Sequence, residues 1–144
     1  MKTLALFLIL ASASFTTLIL FTHPLDFDNT NYDVRVINGF TNNSSEPLVV
    51  WCVSRDTGDI GGRALQERDD YSWTVESSVF FYWSSSRFVC TMKWEGKRKR
   101  FEAFRVSRDR YRCGARRQCL WLVREDGFYF GNDGFNWVRD FPWM

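Results

Sequence analysis

The stretch that decides the fold is Gln118-Cys119-Leu120-Trp121-Leu122-Val123-Arg124-Glu125-Asp126-Gly127-Phe128-Tyr129-Phe130-Gly131. Cys119, Trp121 and Val123 share one side of an extended chain, and Gln118–Arg124 reads as a strand with that side buried. Asp126-Gly127 offers the positive backbone angles of a tight hairpin, returning the chain as Phe128–Gly131. Upstream, Arg87–Trp94 repeats the pattern: Phe88, Cys90, Met92 and Trp94 on one face, Arg87, Thr91 and Lys93 on the other. It turns through Glu95-Gly96-Lys97 into Phe101–Val106. Further period-two runs are Asp33–Phe40, Leu48–Ser54, Tyr71–Val75 and Val79–Trp83, while no apolar helical repeat continues for three turns. The 144 residues are 45% hydrophobic and 18% aromatic, with 14 Phe, 7 Trp and 5 Tyr. The expectation is all-β: a single-domain, disulfide-linked antiparallel β-sandwich.

Residues 1–23 read as a secretory signal peptide: Lys2, then an apolar run Leu4–Phe21, with cleavage after Ala13 or near Thr22/His23. The domain then occupies residues 24–144. In an oxidising compartment, Cys52, Cys90, Cys113 and Cys119 imply two disulfides rather than a metal site. The inward parity of Cys90 and Cys119 favours Cys52–Cys119 with Cys90–Cys113. The alternative closes a small local loop, Cys113–Cys119, and leaves Cys52 to meet Cys90.

The order and spacing of these pieces resemble the plant self-incompatibility S-protein homologues. The matching residues are Val36-Ile37-Asn38, Leu48, Cys52-Val53-Ser54-Arg55-Asp56, Asp59-Ile60-Gly61, Tyr71-Ser72-Trp73, Phe81-Tyr82-Trp83, Phe88-Val89-Cys90, Trp94 and Phe101-Glu102-Ala103-Phe104. Cys119-Leu120-Trp121-Leu122-Val123-Arg124-Glu125-Asp126-Gly127-Phe128-Tyr129 fits the family's C-x-W-x-V-x-x-D-G-x-Y. Two departures are Asp56-Thr57-Gly58-Asp59, where the family often has an acidic run, and Arg68, near a family glycine. The resemblance implies an extracellular protein ligand or signal built on a disulfide-linked sandwich.

The chemistry of the residues agrees with a binding protein. The single histidine, His23, lies at the leader, which disfavours Ser-His-Asp, Cys-His and histidine-dependent ribonuclease chemistry. Asp56 with Asp59, or Asp69 with Asp70, would be the carboxylates of a carbohydrate-active or lectin-like alternative that also uses exposed tryptophans; the plainer reading is turn carboxylates. Gly58, Gly61 and Gly62 form no phosphate loop and read as a turn. No cofactor or metal is expected.

Charge is segregated. Residues 24–86 carry 4 basic and 10 acidic side chains, residues 87–117 carry 12 and 3, and residues 118–144 carry 2 and 4. The basic block supplies the candidate partner-binding residues Lys97, Arg98, Lys99 and Arg100 at a hairpin tip, with Arg112, Arg116 and Arg117. Its expected partner is a cell-surface receptor or an anionic cell-wall component, bound by a monomer, without nucleic acid and without stable membrane insertion after cleavage. Asn42-Asn43-Ser44 and Asn43-Ser44-Ser45 are overlapping glycosylation sequons, with Asn42 and Asn43 as acceptors. At the C-terminus, Trp137 is expected to pack on the sandwich and the aromatics after Asp140 to cover a sheet edge.

Overall fold

A computed structural model describes residues 30–43, 45–77 and 86–144. The leader at residues 1–23 and the strand expected at Val79–Trp83 lie outside the described residues. Among the described residues, nine strands and one helix follow in order: β1 (Thr30–Asn38), β2 (Leu48–Ser54), β3 (Gly58–Leu65), β4 (Asp70–Ser77), β5 (Arg87–Trp94), β6 (Lys97–Arg105), α1 (Val106–Arg112), β7 (Gln118–Arg124), β8 (Gly127–Gly131) and β9 (Val138–Phe141). They form a five-stranded sheet, β4-β1-β7-β8-β9, and a four-stranded sheet, β3-β2-β5-β6. Pairing is antiparallel except between β1 and β7, which run parallel with Val34 opposite Cys119 and Val36 opposite Trp121.

The sheets meet face to face through alternate side chains, as period two requires. Val34 and Val36 of β1, Leu48, Val50 and Cys52 of β2, Phe88, Cys90 and Met92 of β5, and Cys119, Trp121 and Val123 of β7 are all buried. Rings lock the layers together: Phe101 of β6 contacts Trp121, Phe128 and Phe141 at 4.9–5.2 Å between centroids. A bulge in β6 leaves Ala103 without a partner on β5. Its carbonyl instead accepts the Trp121 indole N–H of the other sheet at 2.9 Å. The buried indole is thereby satisfied at the centre of the sandwich.

The disulfides are Cys52–Cys90 and Cys113–Cys119. This corrects the favoured pairing of Cys52 with Cys119 and Cys90 with Cys113. Cys52 and Cys90 stand directly opposite in the β2–β5 register, 4.1 Å apart at Cα, and both belong to the four-stranded sheet. Cys119 lies in the other sheet, about 10 Å away across a sandwich core, beyond the roughly 7 Å Cα reach of a disulfide. Cys113 ends α1, and the turn at residues 114–117 brings it within 4.7 Å of Cys119 at Cα.

The structure differs from the sequence reading at three glycine-bearing stretches, and it adds α1, which begins at Val106 where a strand was expected to end, and β9. Gly58, Gly61 and Gly62 lie in strand β3 rather than a turn. Gly61 has φ +91 beside a register shift against β2, and a Cβ on Gly62 would come within 2.6 Å of the Val50 carbonyl. The two-residue loop after β7 is Glu125-Asp126, not Asp126-Gly127. Gly127 begins β8, where a side chain would meet the Phe141 carbonyl of β9 at 2.6 Å. The β5–β6 turn is tighter than expected: Glu95 and Gly96 have φ of 45° and 73°, the pattern of a type I′ turn. Lys97–Arg100 therefore belongs to β6 rather than to a hairpin tip.

Beyond Asp140 the chain returns to the core. Trp143, 5% exposed, lies against Phe128 and Trp94 and donates its indole N–H to the Arg124 carbonyl at 2.8 Å. Trp137 packs against the backbone of Gly131, and Phe135 projects into solvent.

Candidate binding face

Because β6 alternates, its basic run is divided between two faces. Lys97 and Lys99 point to the sandwich side, their ammonium groups 4.8 Å from the Trp94 ring and 5.2 Å from the Phe141 ring. Arg98 and Arg100 point outward with Lys93 of β5, which stands opposite Arg98 in register. Among the described residues, Lys93, Arg98 and Arg100 form no ion pair.

The other arginines of the basic block are arranged differently. Glu102 meets Arg87 at 2.8 Å, Arg105 at 2.6 Å and Arg108 at 3.6 Å. Asp109, fully buried in α1, accepts two hydrogen bonds from Arg108 at 2.8 Å and one from the Arg105 backbone N–H at 2.7 Å. Arg112 bonds Asp140 at 2.9 Å and lies 4.0 Å from the centre of the Phe130 ring. Arg116 and Arg117 sit on the turn before β7, with Arg117 at φ 55°. The seven basic candidates are thus not one cluster: Arg98 and Arg100 occupy the sheet face, Lys97 and Lys99 the sandwich end, Arg112 an ion-pair network, and Arg116 and Arg117 a turn.

The outward face of β3, β2, β5 and β6 carries a groove of about 510 Å³ lined by Val49, Trp51, Val53, Asp59, Val89, Thr91, Lys93, Arg98 and Arg100. Trp51 is 55% exposed, and its indole N–H donates to Asp59 at 3.0 Å. Asp59 also accepts the Gly61 N–H at 2.7 Å. The Tyr71 hydroxyl donates to the Ile60 and Gly61 carbonyls, and burial, with the Asp59 charge second, pushes its pKa up. Sequence reasoning did not single out Trp51. Its signal was parity: on β2 it alternates with buried Val50 and Cys52, so it must face outward.

The acidic pairs are dispersed. Asp56 follows β2, Asp59 holds Trp51, Asp69 accepts the Gln66 N–H at 3.0 Å, and Asp70 faces Arg35 at 3.4 Å. The sequon residues Asn42 and Asn43 are exposed on the β1–β2 loop; Ser44 lies outside the described residues. Glu125 and Glu67 fasten this loop by accepting the Thr41 and Asn43 N–H groups at 2.6 and 2.9 Å. Burial alone would raise the Glu125 carboxyl, but hydrogen bonds from Thr41 and Asn42 outweigh it and hold the pKa below the usual range. Among the described residues no group of three or more His, Cys, Asp and Glu could hold a metal, and no helix is long and apolar enough to cross a membrane.

Comparison with known proteins places these features in a family. The chain is similar to S-protein homolog 24 of Arabidopsis thaliana, 30% identical over 105 residues, covering 68% of this chain and 66% of the relative. It is similar to S-protein homolog 5, also of Arabidopsis thaliana, at 26% over 81 residues, covering 56% and 58%. S-protein homolog 20 of the same plant is 30% identical over 95 residues, covering 66% and 65%. The chain thus spans 58–66% of the length of these relatives. No solved structure matches it. The family described as plant self-incompatibility protein S1 matches residues 33–143, from the middle of β1 to the buried Trp143. The chain belongs to that family.

Proposed function

We propose that this protein is a secreted, non-catalytic ligand that binds an anionic partner at the cell surface or in the cell wall through the outward face of β5 and β6. The observation that carries the reading is the set Lys93, Arg98 and Arg100: three cations side by side on one sheet face, none paired to an acid among the described residues. Such a patch focuses a positive field over a flat surface and speeds encounter with polyanions. Arg112 is held by Asp140 and Phe130, so its contribution is to shape rather than to contact. The family supports a self-incompatibility-type role without catalysis, and the sequons at Asn42 and Asn43 lie on an exposed loop, accessible to secretory glycosylation.

The test is retention of labelled protein on intact walled plant cells. Arg98→Glu with Arg100→Glu should lower retention at least roughly tenfold, about 1.4 kcal/mol, and raised salt should elute the unaltered protein. Retention that survives both treatments would remove this face from the mechanism.

A further inference from the structure

The groove beside the cations contains a second recognition element. Trp51 is a large apolar side chain, over half exposed, in the centre of a sheet face rather than on a loop. Its indole N–H is tied to Asp59 at 3.0 Å, which orients the ring, and on β3 the residue opposite is Gly62, which leaves the ring face uncovered. An oriented aromatic face loses less entropy on binding than a free one. On the other side Thr91 separates it from Arg100, and Arg98 follows Arg100 on the same face about 7 Å along the strand. Arg98 and Arg100 thus follow one another along β6 with Lys93 beside Arg98, a spread that suits carboxylates repeated along a chain better than a single anion.

Resting on the anionic-partner reading above, we propose that this groove binds an acidic polysaccharide of the uronate class. One sugar ring would lay its C–H face on the Trp51 indole, whose face is electron-rich. Carboxylates on neighbouring rings would pair with Arg98, Arg100 and Lys93, the arginines as two-pronged donors. Asp59 adds an acceptor beside the ring: its carboxylate at the indole edge takes hydrogen bonds from hydroxyls, which the sugars of a uronate chain supply. An acidic peptide would satisfy the cations but offers no rigid C–H face for the ring.

The experiment titrates the purified protein with an oligogalacturonate, its methyl ester, polyglutamate and an oligothymidylate at low salt. Calorimetry reads the affinity, and the Trp51 indole N–H resonance reads the site. Oligogalacturonate should bind, esterification should weaken it at least tenfold, and Trp51→Ala should weaken it roughly tenfold while Trp51→Phe retains most affinity. Unfolding curves confirm that the variants are folded. If Trp51→Ala leaves oligogalacturonate affinity unchanged, or if polyglutamate or oligothymidylate binds more tightly, the uronate assignment falls while the anionic-partner reading stands. If no polyanion binds and the Arg98→Glu, Arg100→Glu protein still adheres to walled cells, both fall.

Discussion

Arg68 has φ of 67° in the turn between β3 and β4, where its N–H donates to the Asn38 carbonyl at 3.0 Å. A Cβ in the left-handed region costs about 1–2 kcal/mol, and the exposed Arg68 side chain offers no compensating ion pair among the described residues. Arg68→Gly should therefore raise stability by about 0.5–1 kcal/mol after the entropy of the unfolded glycine is subtracted, as urea unfolding will read. Asp133 governs the loop after β8. Its carboxylate accepts the backbone N–H groups of Asn136 at 2.8 Å and Phe135 at 2.9 Å and the Asn136 amide at 2.6 Å, which lower its pKa to about 2. The folded value lies below the unfolded one of about 3.9, so the stabilisation is complete above that pH and is lost as pH falls through about 2. The Phe135 and Asn136 amide resonances should shift with a midpoint near pH 2; a midpoint near 4 would show the turn absent. Such positions differ in legibility: Arg68 stood out as a departure from the pattern that the resemblance implies, whereas Asp109 was one acid among arginines until α1 buried it.

At the scale of elements, β6 divides its cations between two faces on alternate residues. Lys97 and Lys99 rest over Trp94 and Phe141, closing the sandwich end, while Arg98 and Arg100 face the groove. Lys97→Glu with Lys99→Glu should lower unfolding stability by about 1–2 kcal/mol, because acids replace cations over electron-rich rings. Arg98→Glu with Arg100→Glu should change stability by no more than about 0.5 kcal/mol. Equal effects of the two pairs in urea unfolding would contradict the alternation. The same periodicity explains which strands were readable. β2, β5 and β7 have the bounds read from sequence, because each shows a strict apolar alternation or a dense apolar run. β3 was hidden by glycines that admit the neighbouring backbone, and β9 by its short sequence Val138-Arg139-Asp140-Phe141. The helix has only seven residues, too few for a periodic signal, and is held by Asp109 rather than by an apolar stripe.

At the scale of the whole molecule, the described residues form two sheets, each carrying its own disulfide. On loop entropy, the Cys52–Cys90 bridge, with a sequence separation of 38, contributes about 4 kcal/mol, and the Cys113–Cys119 bridge, with a separation of 6, about 2 kcal/mol. Paired replacement by alanine should follow that order in the denaturation midpoint; the reverse order would show that native packing around α1, not chain entropy, sets the effect. Parity revealed that Cys90 and Cys119 face inward, but not that they face inward from different sheets, because sheet membership depends on pairings between distant segments. The parallel β1–β7 pair is one such long-range pairing. It joins Asp33 to Gln118 across most of the chain, with β1 lying between β4 and β7. During synthesis, then, the first strand made can pair with β4 but keeps one edge open until β7 emerges. Folding is slow where closure is this non-local, and the waiting edge is adhesive, so a chain cut short before Gln118 would aggregate rather than form a smaller stable domain.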